Sequence, residues 1–306
     1  MFLMNAAASY RVCPLCGQDK AQPHLQKGEL SLVRCRNCSM IYANPVAQEL
    51  ATGSFYDQAG VPFYLSPAKV ESDYSPVRFE RELRLFRSHC QKGEVLDVGC
   101  STGAFLFQLK TRYPDQYSIV GTDVSGAPLD YAESRGVPVI RGDFLSHDFA
   151  GRTFDVVTFW AVMEHLTEPK RFLEKAASIL KPNGLCFILV PNMSSLAVRI
   201  LGAKYRYIFP PHINYFTKAT LSRFVESQFN IIDFKSTHFN PLVILKDFRG
   251  RAQEVSDAER VDLLKRTTAY KQNPLLKPVK LLYRATENVL GSFGLADNIA
   301  VVLRKK

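Results

Sequence analysis

Four cysteines near the start of the chain have the spacing of a metal site. Cys13 and Cys16 form one Cys-x2-Cys pair, and after eighteen residues Cys35 and Cys38 form a second pair. Four thiolates at this spacing suit one tetrahedral zinc ion, and they leave no open position for chemistry. Disulfides are the alternative, but a reducing compartment disfavours them. We therefore expect one structural zinc ion here.

A glycine-bearing turn between an apolar strand and an apolar helix forms the second candidate site. The stretch Glu94–Phe107 reads EVLDVGCSTGAFLF, and its Gly99 and Gly103 let backbone approach a ligand closely. Strand, turn and helix in this order open a nucleotide-binding α/β unit. Ser101 stands where a dehydrogenase turn has its second glycine, and no Gly-Lys-Ser/Thr of a phosphate-binding loop follows. An ordinary strand–helix turn is the alternative.

Two carboxylates accompany that turn. Asp97 ends the first strand, where a negative charge would repel a pyrophosphate but suits an ammonium group. Asp123 ends the next apolar segment, about 20 residues beyond Gly103, where an acidic side chain accepts hydrogen bonds from ribose hydroxyls. The pair indicates a ligand that carries both a cationic group and a ribose.

An acid–base pair follows a later apolar strand. Phe154–Phe159 reads FDVVTF, as expected at the centre of a parallel sheet, and Glu164 and His165 come shortly after it. Open α/β sheets bind ligands at this carboxyl edge. His165 could serve as a general base near neutral pH, and His212 is a second candidate base. The alternatives are that the Glu-His pair orients its loop and that His212 caps the next helix.

Alternating strands and helices must position these residues. The pattern from Glu94 onward is strand, helix, strand, helix, which predicts a doubly wound parallel sheet. The helices nearest the site are predicted at Arg78–His89, Pro128–Arg135, Lys170–Leu180 and Lys218–Phe229. The predicted strands are Val95–Val98, Ser118–Asp123, Val137–Ile140, Phe154–Phe159, Leu185–Val190, Ile231–Lys235 and Asp297–Leu303.

The order of these motifs resembles class I S-adenosylmethionine (SAM) methyltransferases across residues 90–240. The turn is similar to their first signature, usually D/E-x-G-x-G-x-G, with Ser101 in place of the middle glycine. The Glu164–His165 segment resembles their fourth signature, and the run LKPNGLCFILVPN resembles their fifth strand. The resemblance implies a Rossmann-like seven-stranded sheet with helices on both faces, an α/β fold, beside a small zinc ribbon.

The resemblance also implies the contacts of the cofactor. The turn and Asp97 would hold the methionine part, Asp123 the ribose, and Asp143 with Phe144 the adenine. Trp160, the only tryptophan, would cover the cofactor. The expected cofactor-binding residues are Asp97, Gly99, Cys100, Ser101, Gly103, Asp123, Asp143, Phe144 and Trp160.

The segment after the fifth strand resembles the substrate-facing loop of bacterial methyltransferases that act on small molecules. It supplies four polar or aromatic side chains close together in the sequence. These expected substrate-binding residues are Arg206, His212, Asn214 and Tyr215. The expected catalytic residues are Glu164, His165 and His212.

Length and composition allow one large domain or two smaller ones. The chain has 306 residues, is 46% hydrophobic and carries a net charge of +10. We expect a zinc-binding module at 1–45, an aromatic bridge at 46–90 and a methyltransferase domain at 91–306 with a helical insertion at about 241–295. No apolar run is long enough to span a membrane, and the first ten residues are too short for a signal peptide, so a cytoplasmic protein is expected.

The function expected from the resemblance is methyl transfer from SAM to a small-molecule acceptor. A sugar, a sugar nucleotide and a natural-product-like metabolite are the acceptor classes considered. An RNA methyltransferase is one alternative because zinc ribbons and basic tails occur in nucleic-acid binders. A non-catalytic SAM-binding scaffold is another. The basic amphipathic stretch Leu275–Phe293 leaves open a contact with a membrane or a lipid-linked substrate, although core packing or a subunit interface is favoured. The oligomeric state does not follow from the sequence.

Overall fold

The computed structural model describes residues 8–57, 61–249 and 256–306. Residues 1–7, 58–60 and 250–255 lie outside the described residues, so parts of the expected zinc-binding module, bridge and helical insertion are not covered. The strands are β1 Ala8–Ser9, β2 Ala21–Lys27, β3 Leu30–Cys35, β4 Ile41–Ala43, β5 Val46–Ala47, β6 Gly93–Val98, β7 Tyr117–Asp123, β8 Val139–Arg141, β9 Phe154–Trp160, β10 Leu180–Pro191, β11 Asn214–Tyr215, β12 Phe229–Thr237 and β13 Asn298–Lys305.

Among the described residues, seven strands form one mixed sheet in the order β12-β13-β10-β9-β6-β7-β8. The pairs β10–β9, β9–β6, β6–β7 and β7–β8 are parallel, whereas β13 runs antiparallel to both of its neighbours. The chain leaves β6 toward β7 and β8 and then returns to β9 on the other side. This reversal opens a crevice at the carboxyl ends of β6 and β9, where ligands bind in such sheets.

Helices cover both faces of this sheet, as the sequence predicted. Leu96 of β6 faces a buried cluster that includes Leu173 and Leu221. Its neighbour Val95 faces the opposite cluster, which includes Phe86 and Phe105. The helices are α1 Gln48–Thr52, α2 Ser54–Asp57, α3 Val61–Tyr64, α4 Pro67–Tyr74, α5 Glu80–His89, α6 Ala104–Arg112, α7 Gly126–Ser134, α8 Pro169–Ile179, α9 Leu196–Leu201, α10 Lys218–Val225, α11 Pro241–Arg249, α12 Asp257–Gln272 and α13 Lys277–Ser292.

The N-terminal residues build a second, four-stranded sheet within the described chain. Its order is β11-β4-β3-β2, so the two-residue strand β11 comes from the segment after the fifth strand of the large sheet. Met40 and Tyr42 are fully buried in the same cluster as Leu96 and Phe159 of the large sheet. The N-terminal sheet therefore shares its core with the large sheet.

Element ends differ from the sequence expectations mainly where tertiary pairing extends a strand. Strand β10 begins at Leu180 rather than at Leu185, with an irregularity in its pairing between these two residues. Helix α8 ends at Ile179 rather than at Leu180, and Asn183 takes the left-handed conformation in the turn that follows (φ 61°). The described part of the expected helical insertion contains three α-helices, α11, α12 and α13.

The described helices include none that is both long and apolar enough to cross a membrane.

Candidate functional site

The glycine turn joins β6 to α6 at the crevice. Gly99 (φ 73°) and Gly103 (φ 72°) both adopt left-handed backbone, and Ser101 does so as well (φ 50°). A Cβ on Gly99 would lie 2.6 Å from Val162 Cγ2, and one on Gly103 would lie 2.9 Å from Ala132 Cβ. Side chains are excluded at both positions because the turn packs directly on neighbouring elements. Ser101 thus takes the backbone conformation of the glycine that it replaces.

Asp97 lies buried at the end of β6, beneath the turn. Its Oδ1 accepts a hydrogen bond of 2.6 Å from Thr158 Oγ1 on the neighbouring strand β9. Burial raises the pKa of Asp97 to about 7, the hydroxyl of Thr158 lowers it, and the charge of Asp123 raises it further. A cation at this position would therefore stabilise the ionised carboxylate.

Asp123 shapes the turn as well as facing the crevice. Its Oδ2 accepts a hydrogen bond of 2.9 Å from the backbone N–H of Ser101, and its Oδ1 accepts one of 3.0 Å from Ser125 N–H. These bonds join the carboxyl end of β7 to the turn after β6. The hydroxyl oxygens of Ser101 and Ser125 are buried beside this carboxylate and have no hydrogen-bond partner among the described residues.

The side chains of Asp143 and Phe144 have different surroundings from those of Asp97 and Asp123. Both carboxylate oxygens of Asp143 accept backbone N–H bonds from its own turn, from Leu145 and Ser146. Phe144 is buried and stacks on Phe172, with ring centroids 5.5 Å apart. Phe144 lines the cavity described below, whereas Asp143 is absent from its described lining.

Trp160 and Cys100 border the same crevice. The indole of Trp160 packs on Phe105 at 5.1 Å and on Phe187 at 6.0 Å between ring centroids. Its Nε1 is buried and has no hydrogen-bond partner among the described residues. Cys100 is buried, and a Cβ on Gly121 of the next strand would lie 2.5 Å from its Sγ.

The three acid–base candidates converge at one place. One donor atom from each of Glu164, His165 and His212 lies within 4.8 Å of the other two. The rings of His165 and His212 meet edge to face, with centroids 4.8 Å apart. The backbone also joins the two segments, because Ile213 N–H donates a bond of 2.7 Å to the carbonyl of Glu164.

Hydrogen bonds to carbonyls fix the orientation of both imidazoles. Nδ1 of His165 lies 2.8 Å from the carbonyl oxygen of Pro211, and Nδ1 of His212 lies 3.0 Å from that of Tyr207. A carbonyl can only accept, so each Nδ1 carries the proton. In each neutral ring the lone pair is then on Nε2.

Burial controls the charge states of this cluster. It raises the pKa of Glu164 to about 8 and lowers the pKa of His165 to about 4. It also lowers the pKa of His212 well below its ordinary value, and the nearby His165 and Arg260 add to this effect. At neutral pH, therefore, both imidazoles are neutral and Glu164 is largely protonated.

The expected substrate-binding residues have divided roles. Arg206 and His212 line the cavity, but Asn214 and Tyr215 are absent from its described lining. The guanidinium of Arg206 is buried and paired with the carboxylate of Asp247 on α11, with Nε 3.0 Å from Oδ1. Asn214 and Tyr215 hold the loop instead, through side-chain hydrogen bonds to backbone carbonyls.

Two residues that the sequence analysis did not single out reach this cluster. The hydroxyl of Tyr56, from α2 of the bridge, lies 2.8 Å from Nδ1 of His165. The guanidinium carbon of Arg260, from α12, lies 4.0 Å above the ring of Phe63 and 5.0 Å above that of Phe209. The aromatic content of the bridge was the signal available for Tyr56. Nothing in the local sequence marks Arg260, because only the packing of α12 brings it there.

A cavity of about 2050 Å³ connects these groups. Its described lining includes residues of the glycine turn, the Glu164 cluster, Tyr56 from the bridge and Arg260 from the insertion. Ligand pockets of ordinary size are roughly 300–1,000 Å³, so this cavity has room for two ligands together. The predicted site residues that line it are Asp97, Gly99, Cys100, Ser101, Asp123, Phe144, Trp160, Glu164, His165, Arg206 and His212.

The four cysteines of the N-terminal sheet also come together. Their sulfur atoms all lie within 4.8 Å of one another, with Cys13 Sγ 3.4 Å from Cys38 Sγ and Cys16 Sγ 3.6 Å from Cys35 Sγ. All four are free thiols. Tetrahedral zinc with bonds of about 2.3 Å places its sulfur ligands about 3.8 Å apart, so the quartet has the dimensions of such a site.

Comparison with known proteins decides the family of this fold. The sequence profile of the family described as "Methyltransferase domain" matches residues 76–232, just over half of the chain. The chain belongs to this methyltransferase family. It is a SAM-dependent methyltransferase, and its seven-stranded sheet confirms the predicted Rossmann-like fold. The scaffold alternative is thereby set aside.

Curated relatives match about half of the methyltransferase chain. It is 29% identical over 202 residues to a ubiquinone biosynthesis O-methyltransferase of Pasteurella multocida, covering 56% of this chain and 82% of that protein. It is 28% identical over 163 residues to the protein of the same name from Aeromonas salmonicida, covering 48% of this chain and 67% of that one.

Solved structures show the same fold at low identity. A SAM-dependent methyltransferase of Thermotoga maritima, titled as a possible histamine N-methyltransferase, superposes with a TM-score of 0.51 at 16% identity, covering 82% of this chain and 98% of that one. The methyltransferase in a complex with the Trm112 methyltransferase activator of Haloferax volcanii gives a TM-score of 0.52 at 16% identity, covering 81% and 97%.

The crevice of this methyltransferase fits SAM chemically. Asp97 and Asp123 present carboxylates to the cavity, and carboxylates pair with ammonium groups and accept hydrogen bonds from ribose hydroxyls. Ser101 and Ser125 present buried hydroxyls that lack partners among the described residues. The cradle therefore offers polar groups that a bound cofactor would satisfy.

Proposed function

We propose that this enzyme transfers the methyl group of SAM to a hydroxyl oxygen of a small-molecule acceptor. The observation that carries the proposal is the convergence of Glu164, His165 and His212 in the same cavity as the glycine turn. A hydroxyl nucleophile must lose a proton, and the neutral imidazoles of His165 and His212 can receive one. The curated relatives are O-methyltransferases by name, which agrees with transfer to oxygen.

The residues proposed to hold SAM are those of the turn and its neighbours. Asp97 pairs with the ammonium group, and Asp123 accepts from the ribose hydroxyls. Phe144 borders the adenine position, and Trp160 covers the crevice from β9. Both carboxylate oxygens of Asp143 accept backbone N–H bonds within its own turn, so at least one of these bonds must break before Asp143 can accept from the adenine amino group. Bound SAM supplies an electrophilic methyl group, so the protein mainly orients the partners and excludes water.

Nε2 of His165 or His212 is proposed to receive the proton of the acceptor. Both rings are neutral near pH 7 and keep Nδ1–H on a carbonyl, which leaves the Nε2 lone pair for this role. Glu164 is largely protonated at that pH and can donate a hydrogen bond to the acceptor. Tyr56, through its contact with Nδ1, positions His165. Asn214 and Tyr215 position the loop that carries His212.

The cysteine quartet is proposed to hold one structural zinc ion. Cys13, Cys16, Cys35 and Cys38 supply the donor set, and their sulfur separations fit it. The division into a zinc module at 1–45, a bridge at 46–90 and a methyltransferase domain at 91–306 is part of this proposal. The module would act as a support, since four cysteine ligands leave no position for a substrate.

The acceptor is proposed to be a hydroxylated metabolite, such as a sugar, a sugar nucleotide or a natural-product-like phenol. The cavity is large enough to hold such a molecule beside the cofactor. Its acceptor side presents aromatic rings, Tyr56, Phe63 and Phe209, together with the cation of Arg260. Such a lining suits a ring-shaped molecule with polar substituents.

An acceptor screen tests the proposal. Zinc-loaded enzyme is incubated with SAM and a panel of catechols, phenols, sugars and amines, and release of S-adenosylhomocysteine is measured. We expect turnover with hydroxylated acceptors and a fall of at least tenfold in kcat when His165→Gln and His212→Gln are combined. The His24→Gln variant, an exposed histidine outside the cavity, is the matched control. Turnover of amines alone, or full activity in the double variant, would overturn the proposal.

A further inference from the structure

We propose that Glu164, His165 and His212 form a binding site for a divalent transition-metal ion at the floor of the acceptor cavity. This site is separate from the cysteine quartet, which lies in the N-terminal sheet. One donor atom from each of the three side chains lies within 4.8 Å of the other two. Two imidazoles and one carboxylate are the donor set of open transition-metal sites.

The hydrogen bonds of the two imidazoles leave the right atoms for a metal. Nδ1–H of His165 donates to Pro211 O, and Nδ1–H of His212 donates to Tyr207 O. Histidines that bind metals commonly donate their other N–H to a carbonyl in this way, which fixes both the tautomer and the ring orientation. Nε2 of each ring is then the ligand atom.

Tyr56 adds a second constraint on the ring of His165. Its hydroxyl lies 2.8 Å from Nδ1 of His165 and 3.4 Å from the carbonyl oxygen of Pro211. Because Nδ1 carries the proton, the Tyr56 oxygen accepts from it while the hydroxyl hydrogen is directed at the carbonyl. The carbonyl and the phenol thus hold the ring on one side and leave its Nε2 side for a ligand.

Glu164 supplies an independent sign that a partner is missing. The residue is 1% exposed, and its Oε2 is buried without a hydrogen-bond partner among the described residues. A buried carboxyl oxygen without a partner costs free energy, and native structures rarely keep one without a ligand, an ion or a water. A metal ion between Oε2 and the two Nε2 atoms would satisfy it.

The site needs only a small closure to bind an ion. Metal bonds of about 2.0–2.2 Å place adjacent donor atoms roughly 3 Å apart, and each of the three side chains already brings one donor atom within 4.8 Å of the other two. The carboxyl of Glu164 can supply most of that movement, because no hydrogen bond of Oε2 has to break. The backbone bond from Ile213 N–H to Glu164 O keeps the two ligand-bearing segments in register.

The donor set selects the class of ion. Imidazole and carboxylate together suit Mn²⁺, Fe²⁺, Co²⁺ or Zn²⁺, whereas thiolates in the quartet select zinc. Three protein ligands leave coordination positions open toward the cavity. A hydroxyl of the acceptor, or two adjacent hydroxyls, would occupy them, a point that rests on the proposed function. A hydroxyl bound to such an ion would lose its proton more readily, to water in the cavity, and His165 and His212 would then act as ligands rather than as the proton acceptor.

Manganese is the probe that separates the two metal sites. Mn²⁺ favours oxygen and nitrogen donors over a four-thiolate site that already holds zinc, and its free form is counted by electron paramagnetic resonance. Zinc-loaded protein is titrated with Mn²⁺ in wild type, Glu164→Gln, His212→Gln and the control His24→Gln, with circular dichroism as a check of folding. SAM binding by calorimetry, measured in the same variants, reports the cofactor site independently.

We expect one Mn²⁺ per wild-type chain, affinity reduced at least tenfold in Glu164→Gln and His212→Gln, and unchanged affinity in His24→Gln. Folded wild type that binds no Mn²⁺ at millimolar concentration would overturn the inference, and so would equal affinity in wild type and Glu164→Gln. If His212→Gln fails to fold, Glu164→Gln alone decides, since it replaces the carboxyl by an amide, which cannot become an anionic ligand, without changing the size of the side chain. Wild type that binds Mn²⁺ but not SAM would contradict the cofactor assignment and would still support the metal site.

Discussion

The guanidinium of Arg11 donates a hydrogen bond of 2.9 Å to the side-chain oxygen of Asn214, across 203 positions of the chain. The amide nitrogen of Asn214 in turn donates to the carbonyls of Met163 and Leu166, at 2.8 and 2.7 Å. One side chain therefore ties the N-terminal sheet to the segment that carries Glu164. The N-terminal module and the acid–base cluster are mechanically connected although they are far apart in sequence.

Replacing Asn214 should damage this connection. The Asn214→Ala variant removes the hydrogen bonds to the carbonyls of Met163 and Leu166 and one of the hydrogen bonds of the Arg11 guanidinium, so we expect a loss of about 2–3 kcal/mol in the free energy of unfolding. Urea denaturation measures that loss. The control Asn230→Ala removes an exposed amide on β12 and should change the free energy by less than about 0.5 kcal/mol. Equal stability of the two variants would contradict the connecting role of Asn214.

Zinc removal should affect more than the N-terminal sheet. Cys13 and Cys38 are buried in the cluster that also contains Leu96 and Phe159 of the large sheet, so unfolding of the module exposes that face. We expect Cys38→Ser to lose zinc, measured by elemental analysis, and to lower the unfolding temperature.

A second buried cysteine provides the control for that experiment. Cys90 lies outside the quartet, and its Sγ donates to the carbonyl of Lys92, a bond that serine can also make. The Cys90→Ser variant should retain one zinc ion per chain and an unfolding temperature close to that of wild type. Zinc content of one ion per chain in Cys38→Ser would contradict the assigned ligand set.

The large sheet was predictable because each of its central strands is a short apolar run that ends in a chemically distinctive residue. Asp97, Asp123 and Trp160 end three neighbouring strands, and parallel pairing places such ends at one edge. The cysteine quartet was predictable for a similar reason, since its spacing alone defines a site.

Other contacts depend on long-range packing that no local pattern records. The two-residue strand β11 joins the N-terminal sheet through pairing with β4, at a separation of more than 170 residues. Asn214 and Tyr215 therefore face the framework, although their types suggested substrate contacts. Arg206 is likewise paired with Asp247, which lies on a helix 41 residues later in the chain. Tyr56 and Arg260 reach the cluster only through the packing of the bridge and the insertion.

Tyr56 should influence turnover without affecting the cofactor. The Tyr56→Phe variant removes the hydroxyl that lies 2.8 Å from His165 Nδ1 and leaves the carbonyl of Pro211 in place. Loss of about 1 kcal/mol in positioning corresponds to a fall in kcat of roughly fivefold. The dissociation constant of SAM should stay within twofold of wild type. Tyr10→Phe, at a residue 78% exposed, is the control, and equal kcat in both variants would contradict the positioning role.

SAM affinity should depend on pH through Asp97. Burial raises the pKa of this carboxyl to about 7, so below that pH it is neutral and cannot pair with an ammonium group. The association constant should fall about tenfold for each pH unit from pH 7 to pH 5.5, because binding must then release a proton. Calorimetry in two buffers of different ionisation enthalpy detects that proton. Asp97→Asn should bind weakly with no such slope, and a flat profile in wild type would contradict the ammonium contact.

Calorimetric titration of SAM into zinc-loaded wild type and Asp123→Ala tests the central claim most directly. The carboxylate of Asp123 holds the turn through Ser101 N–H, and it is the group proposed to accept hydrogen bonds from the ribose. The account predicts one SAM per chain with a dissociation constant on the order of micromolar, and at least tenfold weaker binding in the variant. Folded, zinc-loaded wild type that binds no SAM would contradict the assignment of the glycine turn as the cofactor site.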